Sequence, residues 1–170
     1  MPVKINGLQA HVLLIHAVIV LVPLAALMLV ASAVWPAARA KLGFLTPAVA
    51  LVALVFVPVT TNAGEWLRDH LPGNQGNLDP LIRKHAQLGD SLLPWAIGLF
   101  LVAAAVWLLD RRFRFGWRSS SSATYARVLP TWVAAVVAVV AIAVSVGAVV
   151  QLYRIGDSGA KAEWTGRTIG

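Results

Sequence analysis

TWVAAVVAVVAIAVSVGAVV, residues 131–150, runs for twenty positions without a charged side chain. At a rise of about 1.5 Å per residue, twenty helical residues reach about 30 Å, the thickness of a bilayer's hydrocarbon core. The stretch reads as a membrane span, with Ser145 and Gly147 as a close-packing patch near its end.

Working outward, apolar runs place four spans near 12–35, 44–61, 91–109 and 130–152. The expected fold class is all-α: an integral membrane four-helix bundle of antiparallel spans, forming one domain over residues 1–170. The second run is short and holds Pro47 and Pro58, but TTNAGEWLRDH (60–70) can continue the helix beyond the lipid. Pro23 and Pro58 each remove a backbone donor, so a bend is expected at each. PAARAKLG (36–43) is short enough to make spans one and two antiparallel neighbours. Asp79 can cap a helix that begins at Pro80, and LIRKHAQLGDSLLPW (81–95) reads as its continuation into the membrane as one helix.

The composition agrees. Hydrophobic residues make up 59% of the chain and charged ones 12%, whereas a soluble domain approaches a quarter charged. The net charge of +7 is spread over short segments between the apolar runs and forms no basic domain with interleaved aromatics. Nucleic acid is therefore not an expected partner; the lipid bilayer is. With no cysteine, disulfides, thiolate metal sites and cysteine nucleophiles are excluded. MPVKINGLQAH (1–11) lacks a small-residue cleavage site, so the first helix is expected to remain in the mature protein.

Orientation rests on a balanced tally. Arg39, Lys41, Arg111, Arg112, Arg114, Arg118 and Arg127 lie on one side, and Lys4, Arg68, Arg83, Lys84, Arg154, Lys161 and Arg167 on the other. The first set is the denser and includes the compact RRFRFGWR (111–118), which favours both basic loops inside and both termini outside. The expected location is the bacterial cytoplasmic (inner) membrane, as a multi-pass protein. Trp66 and Tyr153 read as outer interface anchors, Trp35 and Trp117 as inner ones. WRSSSSATY (117–125) reads as a cytoplasmic linker, and GNQGN (73–77) as a turn.

With that topology, the polar residues hardest to explain as lipid anchors gather at the outer end. They are His11 and His16 on the first helix, Glu65, Asp69 and His70 after the second, His85 and Asp90 before the third, and Arg154 and Asp157 after the fourth. His11 and His16 are five apart, about 140° around a helix, so they point to different partners. Gly89 follows His85 by one turn and would admit a bulky planar group or a neighbouring helix.

Three chemistries fit these residues. His16 or His11 facing His85 would make an axial pair for a b-type haem, as in an electron-transfer protein. His11, His16, Glu65, His70 and His85 are also the candidate ligands for zinc or copper, with Asp69 or Asp90 orienting an imidazole. The third is a cofactor-free polar cap in which Glu65, Asp69, Asp90, Arg154, Asp157 and His85 pair with one another. An enzyme acting on a periplasmic small molecule or lipid would need a cleft bounded by Glu65, His85 and Asp90. The Gly-Asp-Ser-Gly of YRIGDSGAKAEW (153–164) lacks the G-x-S-x-G elbow and does not mark a serine hydrolase; Gly156 and Gly159 read as letting the chain turn back over the bundle.

The His-x-x-x-x-His start, a histidine leading into helix three and a Tyr-Arg-x-Gly segment after helix four together resemble a bacterial membrane domain of unknown function, number two-two-three-one, of the actinobacterial type. The resemblance covers Asn6 to about Trp164. In that family the first histidine is often followed by Pro and the second by an aromatic and Pro, where this chain has Val12 and Ala17, and members often carry His at the position of Asp157. It implies a four-helix membrane domain and no particular activity. From the residues themselves two functions are expected: an accessory protein binding b-type haem at its outer end, or a structural subunit or scaffold that joins a larger respiratory or transport complex through the Ala/Gly/Ser face of span four.

Overall fold

The computed structural model describes the backbone of residues 4–5, 8–69, 80–118 and 130–164, and the side chains of 13–66, 80–112 and 130–161. A two-residue antiparallel pairing of β1 (Lys4–Ile5) with β2 (Leu8–Gln9) precedes the helices. Among the described residues the helices are α1 (Ala10–Val34), α2 (Pro36–Leu42), α3 (Leu45–Asp69), α4 (Pro80–Asp90), α5 (Leu93–Arg118) and α6 (Thr131–Trp164). Four helical stretches are long and apolar enough to cross a membrane: Leu13–Val34, Leu45–Trp66, Pro80–Arg112 and Thr131–Lys161.

α1 packs on α3 and α6, and α5 packs on the same two, so the span helices form a ring in the order α1, α3, α5, α6. Val22, Leu29, Val57 and Leu99 fill its centre, with Ala25, Ala53, Ala96, Ala103, Ala141 and Ala148 between them. Alanine at these contacts lets the backbones approach, which is what holds helices together where lipid offers no hydrophobic drive between them. Only 17% of the α6 span is buried, and Val136, Val139, Val146 and Val150 face outward. So continuous an apolar face belongs against acyl chains.

Contacts between α4–α5 and α6 come in a regular series. His85 meets Ile155 and Ser158, Leu88 meets Gln151, Trp95 meets Gly147, and Gly98 meets Val144. The small residues expected to form a close-packing patch are thus used within the chain. Trp95 lies over Gly147, and the buried Ser145 hydroxyl donates to the Ala26 carbonyl of α1 at 3.2 Å.

Two local expectations are corrected. The stretch 81–95 is two helices, broken at Ser91–Leu92. Pro94 has no N–H for the Asp90 carbonyl, and its ring would clash with that carbonyl in a continuous helix. The turn tightens to a Leu92 N–H bond with the Gly89 carbonyl at 3.1 Å, and Gln151 Nε2 donates to the Leu88 carbonyl at 3.0 Å and to Ser91 Oγ. Gly156 and Gly159 do not turn the chain, because α6 passes through both to Trp164. The short linker is itself a helix, α2, opened by extended Trp35 and Pro36 and ended by Gly43 at φ +43°. Asp79, 117–125 apart from the backbone of residues 117 and 118, and 73–77 lie outside the described residues.

Helix α6 therefore contains two glycines of opposite kind. A Cβ on Gly147 would fall 1.9 Å from the Trp95 ring, whereas one on Gly156 meets nothing within 4 Å. Gly147→Ala should destabilise the bundle by about 1–3 kcal/mol by forcing the indole outward. Gly156→Ala should stabilise it by up to about 1 kcal/mol through helix propensity. Thermal unfolding in detergent reads both, and equal effects of one sign would contradict the packing described.

Candidate functional site

Polar side chains collect at both ends of the bundle. At the end that carries α4, the centre is His85. The Ile155 carbonyl can only accept, so its 3.1 Å contact with His85 Nδ1 requires a proton on that nitrogen. The same Nδ1–H reaches Ser158 Oγ at 3.0 Å, and the Ser158 hydroxyl donates to the Ile155 carbonyl at 2.8 Å. In a neutral ring with that proton on Nδ1, Nε2 would carry the lone pair. The imidazole rests on Gly159, where a Cβ would stand 3.0 Å from Cε1. The glycine that admits the ring is therefore Gly159 of α6. Gly89, the residue expected for that role, faces Thr61 Cγ2 at an ordinary 3.8 Å.

The remaining sequence-predicted residues do not join His85. His16 is exposed on the outward stripe of α1 with Leu13, Val20, Leu27 and Val34, turned from the core stripe of Val18, Val22, Ala26 and Leu29. Glu65, Asp90 and Arg154 are exposed and, among the described residues, make no side-chain hydrogen bond or ion pair. Asp157 pairs with Lys161 at 2.7 Å, one turn along the same helix, and not with Arg154. The side chains of His11 and Asp69, and all of His70, lie outside the described residues. Among the described residues no three His, Asp or Glu side chains converge on a metal position. Among the described residues the interhelical side-chain bonds at this end include those of His85 with Ile155 and Ser158 and of Gln151 with Leu88 and Ser91. The reason is geometric: α4 meets α6 at its buried side, while the charges stay on outward faces.

The opposite end, at α2, holds a second polar group. Arg39 Nε donates to the Ser32 carbonyl at 2.6 Å and its Nη2 to the Ala33 carbonyl at 2.8 Å, capping the last turn of α1. A cation there meets the negative end of the helix dipole. The buried hydroxyls of Ser32 and Thr46 bond each other at 3.1 Å. Phe44 tilts against Trp107 with centroids 5.5 Å apart, and the Arg111 guanidinium lies 4.9 Å over the same indole. A shallow cleft of about 10 Å³, roughly the room of one water, is lined by Ser32, Arg39, Gly43, Thr46, Ala103, Val106, Trp107 and Asp110. In the sequence alone Arg39 is a topology signal. A basic residue one turn past the end of an apolar helix was the available clue.

Among the described residues every buried side-chain nitrogen or oxygen has a partner. That includes Thr60, which donates to the Phe56 carbonyl at 2.7 Å, while exposed Asn62 donates to that of Pro58 at 2.7 Å, so the polar exit of α3 satisfies itself. Four apolar helices of membrane-spanning length and fully paired buried polar groups define a multi-pass helical membrane protein. The chain belongs to the DUF2231 family, described as a predicted membrane protein, whose pattern matches residues 7–169. No curated protein and no solved structure matches it.

If His85 latches α4 to α6, His85→Ala should cost about 1–2 kcal/mol locally and speed amide exchange across 80–90. Exchange in the buried parts of α1 and α3 should be unchanged. Unaltered protection of α4 would show that the imidazole holds nothing.

Proposed function

We propose that this protein is a structural or accessory subunit of the bacterial cytoplasmic membrane, with its antiparallel spans carrying the α4 end and both termini outward. The observation that carries this reading is the use of the α4-end polar groups as interhelical bonds. His85, Ser158, Gln151 and Ser91 join helices to one another, and His16 is turned away from them. The series 85 with 155–158, 88 with 151, 95 with 147 and 98 with 144 supports opposite chain directions. A partner complex would not dock on the small-residue face of α6, since that face is filled by Trp95 and α1.

Exposed aromatics supply a ruler for the depth. Trp132 and Tyr153 of α6 are 71% and 76% exposed. Their separation along the helix, about 32 Å, matches a hydrocarbon layer bounded by two aromatic belts. His85, level with residues 155–158, then stands just outside the lipid. α4 and the end of α6 form a helical arm above the membrane.

A second reading is favoured by one detail. An imidazole whose Nδ1–H is held by a backbone carbonyl presents Nε2 in the form that ligates iron, zinc or copper. A b-type haem on His85 would need its other axial ligand from outside the packed core, because His16 lies on the outward stripe. The two readings separate in one experiment, oxidised and dithionite-reduced absorption spectra with metal analysis on protein expressed with ample haem. The accessory reading expects no Soret band and no stoichiometric metal. A Soret band lost in His85→Ala would establish the haem protein instead.

Topology is directly testable because the chain has no cysteine to remove. Arg154→Cys should react with an impermeant maleimide added outside intact cells, and Lys41→Cys only after permeabilisation. The reverse pattern would invert the orientation.

A further inference from the structure

We propose that the α2 end, at the mouth of this shallow cleft, binds the phosphodiester of an anionic phospholipid, of the class whose headgroup carries hydroxyls. Arg39 is half-buried there, and its guanidinium is held in place by the Ser32 and Ala33 carbonyls. Among the described residues it has no carboxylate partner: Asp110 lines the same cleft without bridging to it. Its Nη1 makes no hydrogen bond to them either, so a fixed, half-buried cation faces the opening with donors to spare. Such a charge in a low-dielectric border zone attracts an anion more strongly than a freely hydrated one would.

The surroundings select the kind of anion. Trp107 forms one wall, and Arg111 is stacked over it, which places a second guanidinium at the rim. Lys41 is exposed on α2. Phe44, tilted on Trp107, is 65% exposed and Leu45 55%, giving acyl chains an apolar surface beside the cationic groups. The Asp110 carboxylate disfavours a dianionic phosphate monoester by like-charge repulsion, yet accepts hydrogen bonds from headgroup hydroxyls. A monoanionic diester with a glycerol headgroup satisfies both conditions. Arginine forks recognise such a phosphate directionally, where scattered surface lysines would act only through the general surface potential.

The test is native mass spectrometry of the protein in mild detergent, titrated with phosphatidylglycerol or phosphatidylcholine. The first phosphatidylglycerol should bind about tenfold more tightly than phosphatidylcholine. Arg111→Gln should remove about that factor, the size of one charge-assisted hydrogen bond. Lys41→Gln, on the exposed face of α2, should weaken binding by a smaller factor without disturbing the fold. Arg83→Gln with Lys84→Gln, at the α4 end, should leave it unchanged. Equal binding of the two lipids, or equal losses in the Arg83/Lys84 variant, would overturn the proposal in favour of general surface charge. Displacement of the lipid by millimolar inorganic phosphate would overturn it in favour of a free-anion site. None of these outcomes depends on what the α4 end does.

Discussion

A helix inside hydrocarbon gains nothing by hiding leucine from lipid tails, so the bundle depends on how closely its backbones approach. Each major contact is made where a side chain is missing or small. Trp95 occupies the space over Gly147, His85 the space over Gly159, and Ser145 reaches the Ala26 carbonyl. The buried alanines between these points keep the ring of four helices narrow, and the larger valines of α6 are left for the bilayer. Hydrogen bonds add direction to contacts that packing alone would leave free to slide.

The same constraint explains the two polar ends. A buried donor or acceptor at the membrane border must be paired, and here the partners are mostly backbone carbonyls freed at helix ends. Gln151 serves the last turn of α4, opened by Pro94, and Arg39 serves the last turn of α1, opened by Trp35 and Pro36. His85 differs in bonding to the middle of a helix, where Gly159 leaves room for the ring. It ties α4 to the end of α6.

At the opposite end the design is less closed. Arg39 finishes α1 yet keeps charge facing a cleft, and the Phe44–Trp107–Arg111 stack shapes its wall. Structural capping and lipid recognition are compatible here because a guanidinium has five donors and the cap uses two.

Residues 131–150 and the three other apolar runs determined the number of spans by length alone, since a backbone in lipid must pair its own donors and helices do so locally. Pairing in the third and fourth dimensions of contact was another matter. That α6 continues past Gly156 depends on α4 lying beside it, and propensity alone favoured a turn. That 81–95 breaks followed from Pro94 and was legible, but the Gln151 bond that completes the break comes from 60 residues away. The four histidines were visible as a group by sequence position, because topology assigns an end. Whether they share a face was not, because facing is set by helix rotation: a rotation fixed by Ala and Gly contacts turned His16 outward and His85 onto α6. Tertiary packing alone decided which polar residues meet, since a helix can present any of its faces until its neighbours choose one.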